Sequence, residues 1–235
     1  MAFPEDFIEE VIFSTTNRHL TSHLTMQEFY KWLGCHFFMA CFQGIDNRDN
    51  WWSQQPISMF EGTPFKLNGY MSMNRFLNIT STICFTDKDK PTGFVDRFHE
   101  VRQMLEAFND HYDCNYVASW LSCLDESMSS WLSKYCPGFM VVLQKPHPFG
   151  NEYHTIAHGD QGKPIMFRIK LVKGKDRPKK EDGSLAFPSE FDHLQKTIKM
   201  MLEMTKPLYG TGKVVVVDVM GWWLATTKGF TCKRM

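Results

Sequence analysis

The run KVVVVD, Lys213 to Asp218, constrains this chain more than any other stretch. Four consecutive valines leave no polar alternate position, so the segment fits a strand buried on both faces, inside a sheet with neighbours on either side. A second apolar stretch, VASWLSCLD, also reads as a strand and also runs into an aspartate. If the two strands lie side by side, Asp125 and Asp218 converge on one edge of the sheet.

The 235 residues and 43% hydrophobic content suffice for one large domain or two small ones with a buried core. Twenty-six basic and 26 acidic residues cancel, so no whole-molecule field attracts nucleic acid or an anionic membrane, and any such binding must come from local patches. Seven cysteines, an odd number without a C-x-x-C pair, predict buried thiols in a reducing compartment. The start, MAFPEDFIEEVIF, is acidic where a signal peptide is basic, and GCHFFMACF is too short to span a bilayer. The expectation is a soluble intracellular chain without a membrane partner.

The front half reads as helix. TMQEFYKWLGCHFFMACF repeats apolar residues at three- and four-residue spacing behind a capping box of Thr25 and Glu28. SMNRFLNITSTICF opens on Ser72, and VDRFHEVRQMLEAFNDHY follows the breakers Pro91 and Gly93; the three helices are expected to bury one another. Past residue 116 extended runs take over. NYVASWLSCLDE and GFMVVLQ read as strands, and EYHTIAHGDQGKPIMFRIKLV reads as a hairpin turning at residues 159–162. SEFDHLQKTIKMMLEMTKPL returns to helix with Ser189 as N-cap, before the valine strand. The expected fold class is α/β, a helical region over residues 1–116 followed by a mixed-sheet domain over residues 117–235.

Paired carboxylates at a sheet edge suit Mg²⁺, which takes oxygen ligands and keeps positions open for water and phosphate oxygens. Two such ions about 3.5–4 Å apart can drive an in-line phosphoryl displacement. Two structural aspartates, serving as caps or turn residues, fit the same pattern. So does acid/base work on a glycoside, with Asp125 or Glu126 set against Asp218. Asp125 and Glu126 are not themselves such a pair, because neighbours on a strand point to opposite faces.

Read together, EFYKWLGCHFFMACFQGIDNRDNWW, YMSMNRFLNITSTICFTD, DRFHEVRQMLEAFNDHY, LDESMSSWL, KPHPFGNEY and KVVVVD resemble successive blocks of piggyBac-type transposases and their domesticated descendants, over about residues 26–226. The resemblance implies an RNase H-like catalytic fold behind a helical dimerisation and DNA-binding region. It implies a nuclear protein, possible homodimers, and Mg²⁺-dependent cut-and-paste transposition of DNA through recognition of transposon ends. Active members use three aspartates; Asp125 matches the first and Asp218 the second. No acidic residue follows Asp218, so the expectation is a partial catalytic domain, lacking its C-terminal half and catalytically incomplete. The alternative is a domesticated, non-catalytic DNA- or chromatin-binding protein.

Lys173, Lys175, Arg177, Lys179 and Lys180 form a basic cluster suited to phosphate contacts or nuclear import, or a solvated loop partly cancelled by Glu181 and Asp182. Lys145, in the Lys-Pro-His-x-x-Gly block, is by resemblance a DNA-facing residue. His154 and His158 make H-x-x-x-H, but on a strand and without the zincin glutamate they read as surface or hairpin residues rather than metal ligands. Trp51, Trp52, Trp222 and Trp223 read as core packing rather than base-stacking platforms.

Overall fold

The computed structural model describes residues 4–18, 23–42, 47–60, 65–86, 88, 98–131, 133–160, 163–171, 189–217, 223–226 and 233–234. The chain divides into two compact units at residues 87/88. That boundary lies ahead of the one expected at residue 116, and it moves one helix into the company of the sheet.

The first unit is helical. It contains α1 (Glu5–Arg18), α2 (Met26–Cys41) and α3 (Met73–Thr82). The acidic start, read from sequence only as unlike a signal peptide, forms α1 and buries Phe7, Ile8, Val11 and Ile12. Thr25 and Glu28 form the expected capping box on α2. Glu28 has a second task, because Arg75 at the start of α3 donates Nε to Glu28 Oε1 and Nη2 to Oε2, each at 3.0 Å. That fork joins the first turns of two helices, and the Arg75 guanidinium holds the Glu28 carboxyl below its ordinary range. Deeper in the unit, Trp32 Nε1 donates to Thr80 Oγ1 at 3.0 Å and Trp52 Nε1 to the Met71 carbonyl at 2.9 Å. Trp51 and Trp52 are buried, so both serve packing, as their apolar neighbourhood suggests. Trp222 lies outside the described residues, as does the side chain of Trp223.

The second unit opens with α4 (His99–Asn115) and continues through β1 (Leu121–Ser130), β2 (Met140–Val141), β3 (Phe149–Asp160), β4 (Lys163–Leu171), α5 (Lys196–Thr205), β5 (Val214–Val217), β6 (Trp223–Thr226) and β7 (Lys233–Arg234). The strands form one mixed sheet in the order β2-β3-β1-β5-β6-β7, with β4 also paired to β3. β1 and β5 run parallel, and the other pairs are antiparallel. β3 and β4 are the expected hairpin, with Asp160 opposite Lys163.

One face of β1, β3 and β5 supplies the core. Leu124, Ile156, Val215 and Val217 are buried with Phe167 of β4, with Met204 of α5 and with Leu208 in the 3-10 turn that follows α5. Each such aliphatic side chain contributes about 1.5–3 kcal/mol of transfer free energy. Helix α4 belongs to this assembly. Asn109 donates Nδ2 to the Ile169 carbonyl at 2.9 Å and accepts the Ile169 N–H on Oδ1 at 3.0 Å. Its amide thereby stands in for a neighbouring strand on β4, and an Asp113–Arg168 ion pair lies one helical turn on.

Four local expectations are corrected. GFMVVLQ yields only the two-residue β2. Residues 189–194 form a turn, with the Ser189 N–H donating to Asp192 Oδ2, so α5 starts at Lys196 and not at Ser189. The thiols are free as expected among the described cysteines, but Cys41, Cys114 and Cys123 are exposed rather than buried. Finally, β1 does not stop at Asp125. Pairing with β3 continues to Ser130↔Gly150 and supplies hydrogen-bond partners to the polar residues DESMSS.

Candidate metal and nucleic-acid site

β1 and β5 register as Leu121↔Val214, Ser122↔Val215, Cys123↔Val216 and Leu124↔Val217. The adjacency that the two apolar runs required is therefore present. Asp125 is the residue after the last paired position of β1, and Asp218 is the residue after the last paired position of β5; Asp218 itself lies outside the described residues.

Alternation along β1 is clear from its burial. Ser122 and Leu124 are buried, whereas Leu121, Cys123 and Asp125 are exposed. Asp125 sits opposite Thr155 of β3, and its Oδ1 accepts the Glu126 N–H at 2.7 Å. An exposed carboxylate pays little desolvation, so Asp125 needs no ion to be tolerated where it is. It offers hard oxygen donors to solvent at the point where two parallel strands stop pairing, a donor set that fits Mg²⁺.

Glu126 turns to the other face, as strand alternation demands. There it lies opposite His154, with Glu152 two residues before His154 on the same strand. One carboxylate oxygen from each glutamate and one imidazole nitrogen lie within 4.8 Å of one another. Lys145 folds back onto this place: its Nζ donates to the Glu126 carbonyl at 3.3 Å and lies 3.9 Å from Glu126 Oε2. Burial pushes the His154 imidazole below the usual histidine range, with Glu126 and Asp125 acting against that shift and Lys170 and Lys145 reinforcing it.

His154 and His158 are buried, not surface residues. The face they share carries Ile156 between them, and the Tyr116 ring stacks on His158 at 4.9 Å. The two histidines thus diverge, one toward an aromatic contact and one toward two carboxylates. Glu152 was not singled out from sequence, although NEYH contains the signal: residues two apart on a strand share a face. The basic residues Lys173, Lys175, Arg177, Lys179 and Lys180 lie outside the described residues, so of the cationic candidates only Lys145 has a place in the structure.

Gly150 closes the Lys-Pro-His-x-x-Gly block. A Cβ there would stand 1.9 Å from the Ser129 carbonyl oxygen, so the close approach of β3 to β1 requires glycine. That requirement gives the block a structural reason alongside any functional one.

A family model described as Transposase IS4 matches residues 1–220. The chain belongs to the Transposase IS4 family. Its fold is similar to that in a cryo-EM structure of the piggyBac transposase synaptic complex with hairpin DNA, with a TM-score of 0.63 and 19% sequence identity. The alignment covers 91% of this chain and 43% of the other, so this member of the Transposase IS4 family spans under half of that neighbour's length. The mixed sheet with its helices accordingly has an RNase H-like fold, as the sequence blocks implied. No curated protein matches the chain. Transposases of this family typically work with a divalent metal, and the group Glu126, Glu152 and His154 could hold an ion. No helix among the described residues is long and apolar enough to cross a membrane.

Proposed function

We propose that this transposase-derived chain binds DNA and holds Mg²⁺ through Asp125 and Asp218, with transposon ends as the ancestral substrate. The observation that carries the reading is the parallel pairing of β1 with β5, whose last register position, Leu124↔Val217, immediately precedes both aspartates in sequence. Asp125 is open to solvent and so accessible to a phosphodiester. When bound, Mg²⁺ would supply positive charge that offsets the negative charge an in-line phosphoryl displacement develops. The solved neighbour was captured with hairpin DNA, which supports DNA as the partner here, and a homodimer in the nucleus is the matching setting. Lys145 and the basic cluster at 173, 175, 177, 179 and 180 are the proposed phosphate contacts. Asp125 and Asp218 supply two carboxylates to one ion, and cleavage through two ions needs a further protein ligand beyond this pair. Retention of the helical unit for DNA or chromatin binding is the competing reading.

Fluorescence anisotropy on hairpin DNA, run alongside a Mg²⁺-dependent nicking assay, tests this. The expected result is affinity that falls linearly in log–log form with salt, and no nicking. Affinity that ignores salt overturns the DNA assignment. Nicking that survives Asp125→Ala overturns the metal assignment, and DNA affinity that requires no sheet residue favours the competing reading.

A further inference from the structure

We propose that Glu126, Glu152 and His154 form a second divalent-metal site, selective for a transition ion of the Zn²⁺ class and separate from Asp125. Strand register builds it. Glu126 of β1 faces His154 of β3 directly, and Glu152 lies diagonally across, all on the face that carries Leu124 and Ile156. Asp125 points the opposite way, so the two groups do not share an ion.

His154 provides the second observation. It is 7% exposed, and its Nδ1 is buried with no hydrogen-bond partner among the described residues. A buried imidazole nitrogen left unpaired is costly unless some group occupies it.

The donor set selects the ion. One imidazole nitrogen and two carboxylate oxygens suit Zn²⁺, whereas Mg²⁺ takes oxygens almost exclusively. Two ligands at about 2.1 Å in the tetrahedral arrangement of Zn²⁺ stand about 3.4 Å apart, so separations that now reach up to 4.8 Å must close by as much as about 1.4 Å. Both glutamates are half-buried, and rotation of their side chains toward the imidazole is the movement that closes this gap. Lys145, 3.9 Å from Glu126 Oε2, is the cation already beside the group, and its partly exposed side chain can withdraw when a dication enters. With three protein ligands the fourth position of Zn²⁺ stays open to water. On this arrangement the ion ties β1 to β3 immediately behind Asp125 and fixes the strand that presents it.

The test uses the full 235-residue chain and Zn²⁺ alone, with binding measured by equilibrium dialysis and metal analysis. One equivalent is expected, with His154→Gln and Glu152→Gln each weakening affinity by about tenfold or more. Asp125→Asn is expected to leave Zn²⁺ affinity unchanged. Glu152→Gln, half-buried and isosteric, keeps the test sharp if His154→Gln does not fold. Co²⁺ substitution adds a readout: a ligand-field absorption that disappears in His154→Gln. Absence of stoichiometric binding overturns the proposal, as does binding that neither variant weakens or that Asp125→Asn abolishes. Failure of DNA binding would leave this result untouched.

Discussion

Asn109→Leu isolates what fastens α4 to the sheet. Leucine keeps most of the volume but removes both contacts to Ile169, the Nδ2 bond to its carbonyl at 2.9 Å and the Oδ1 bond to its N–H at 3.0 Å. Both backbone groups belong to β4 at the side away from β3, where no other described strand pairs with it. Leaving a buried donor or acceptor unpaired costs about 1–3 kcal/mol each, and partial exposure of this pair puts each near the lower end. Leucine's better helix propensity returns roughly 0.3–0.5 kcal/mol. The expected net loss is about 2 kcal/mol, which would lower the urea midpoint by about 1 M for an m-value near 2 kcal/mol/M. The same free energy corresponds to a roughly thirtyfold drop in protection of the Ile169 amide if that amide opens with the strand. Urea unfolding reads the first quantity, and hydrogen exchange followed residue by residue reads the second. An Ile169 amide that keeps its protection, together with a midpoint shift below about 0.3 M, would refute the assignment of α4 to the sheet unit.

Three further outcomes are expected. Gly150→Ala forces a Cβ to 1.9 Å from the Ser129 carbonyl, so it should lower the melting temperature and selectively expose the amides of residues 149–151 and 128–130; an unchanged exchange pattern there would contradict the close approach. Leu124→Ala removes a 1%-exposed side chain from the core that supports both β1 and β5 and should cost about 2–5 kcal/mol in denaturant unfolding. The helical unit should weaken in acid through Glu28. Its carboxyl is held below the ordinary 4.5 by Arg75, so its stabilisation is complete above that value and is lost as pH falls through the lower folded-state value. Arg75→Gln should flatten this acid dependence, measured as melting temperature against pH, and an identical slope in the variant would reject the linkage.

Local chemistry made much of this molecule readable. The β1–β5 pairing followed from two apolar runs that needed covered neighbours, and the α2 start from Thr25 and Glu28. The opposite facing of Asp125 and Glu126 followed from the two-residue period of a strand. Features set by distant partners were not readable. Asn109 meets Ile169 across 60 residues, so nothing in its own helix marks it as the capping group of a strand. The polar stretch DESMSS looks like a strand's end, yet β3 pairs it to Ser130. Ser189 resembles an N-cap because it begins a turn that precedes the helix by several residues. Glu152 became legible as a site residue only once β3 was paired to β1, because its partner Glu126 comes from another strand.

The central claim is that two parallel strands bring Asp125 and Asp218 to one Mg²⁺. Calorimetric titration of Mg²⁺ into the wild-type chain and into Asp125→Asn, Asp218→Asn and the double variant tests it most directly. The account predicts that either single change abolishes the same binding heat, that the double variant loses nothing more, and that Glu152→Gln retains it. Mg²⁺ binding that persists in Asp125→Asn or in Asp218→Asn would contradict it.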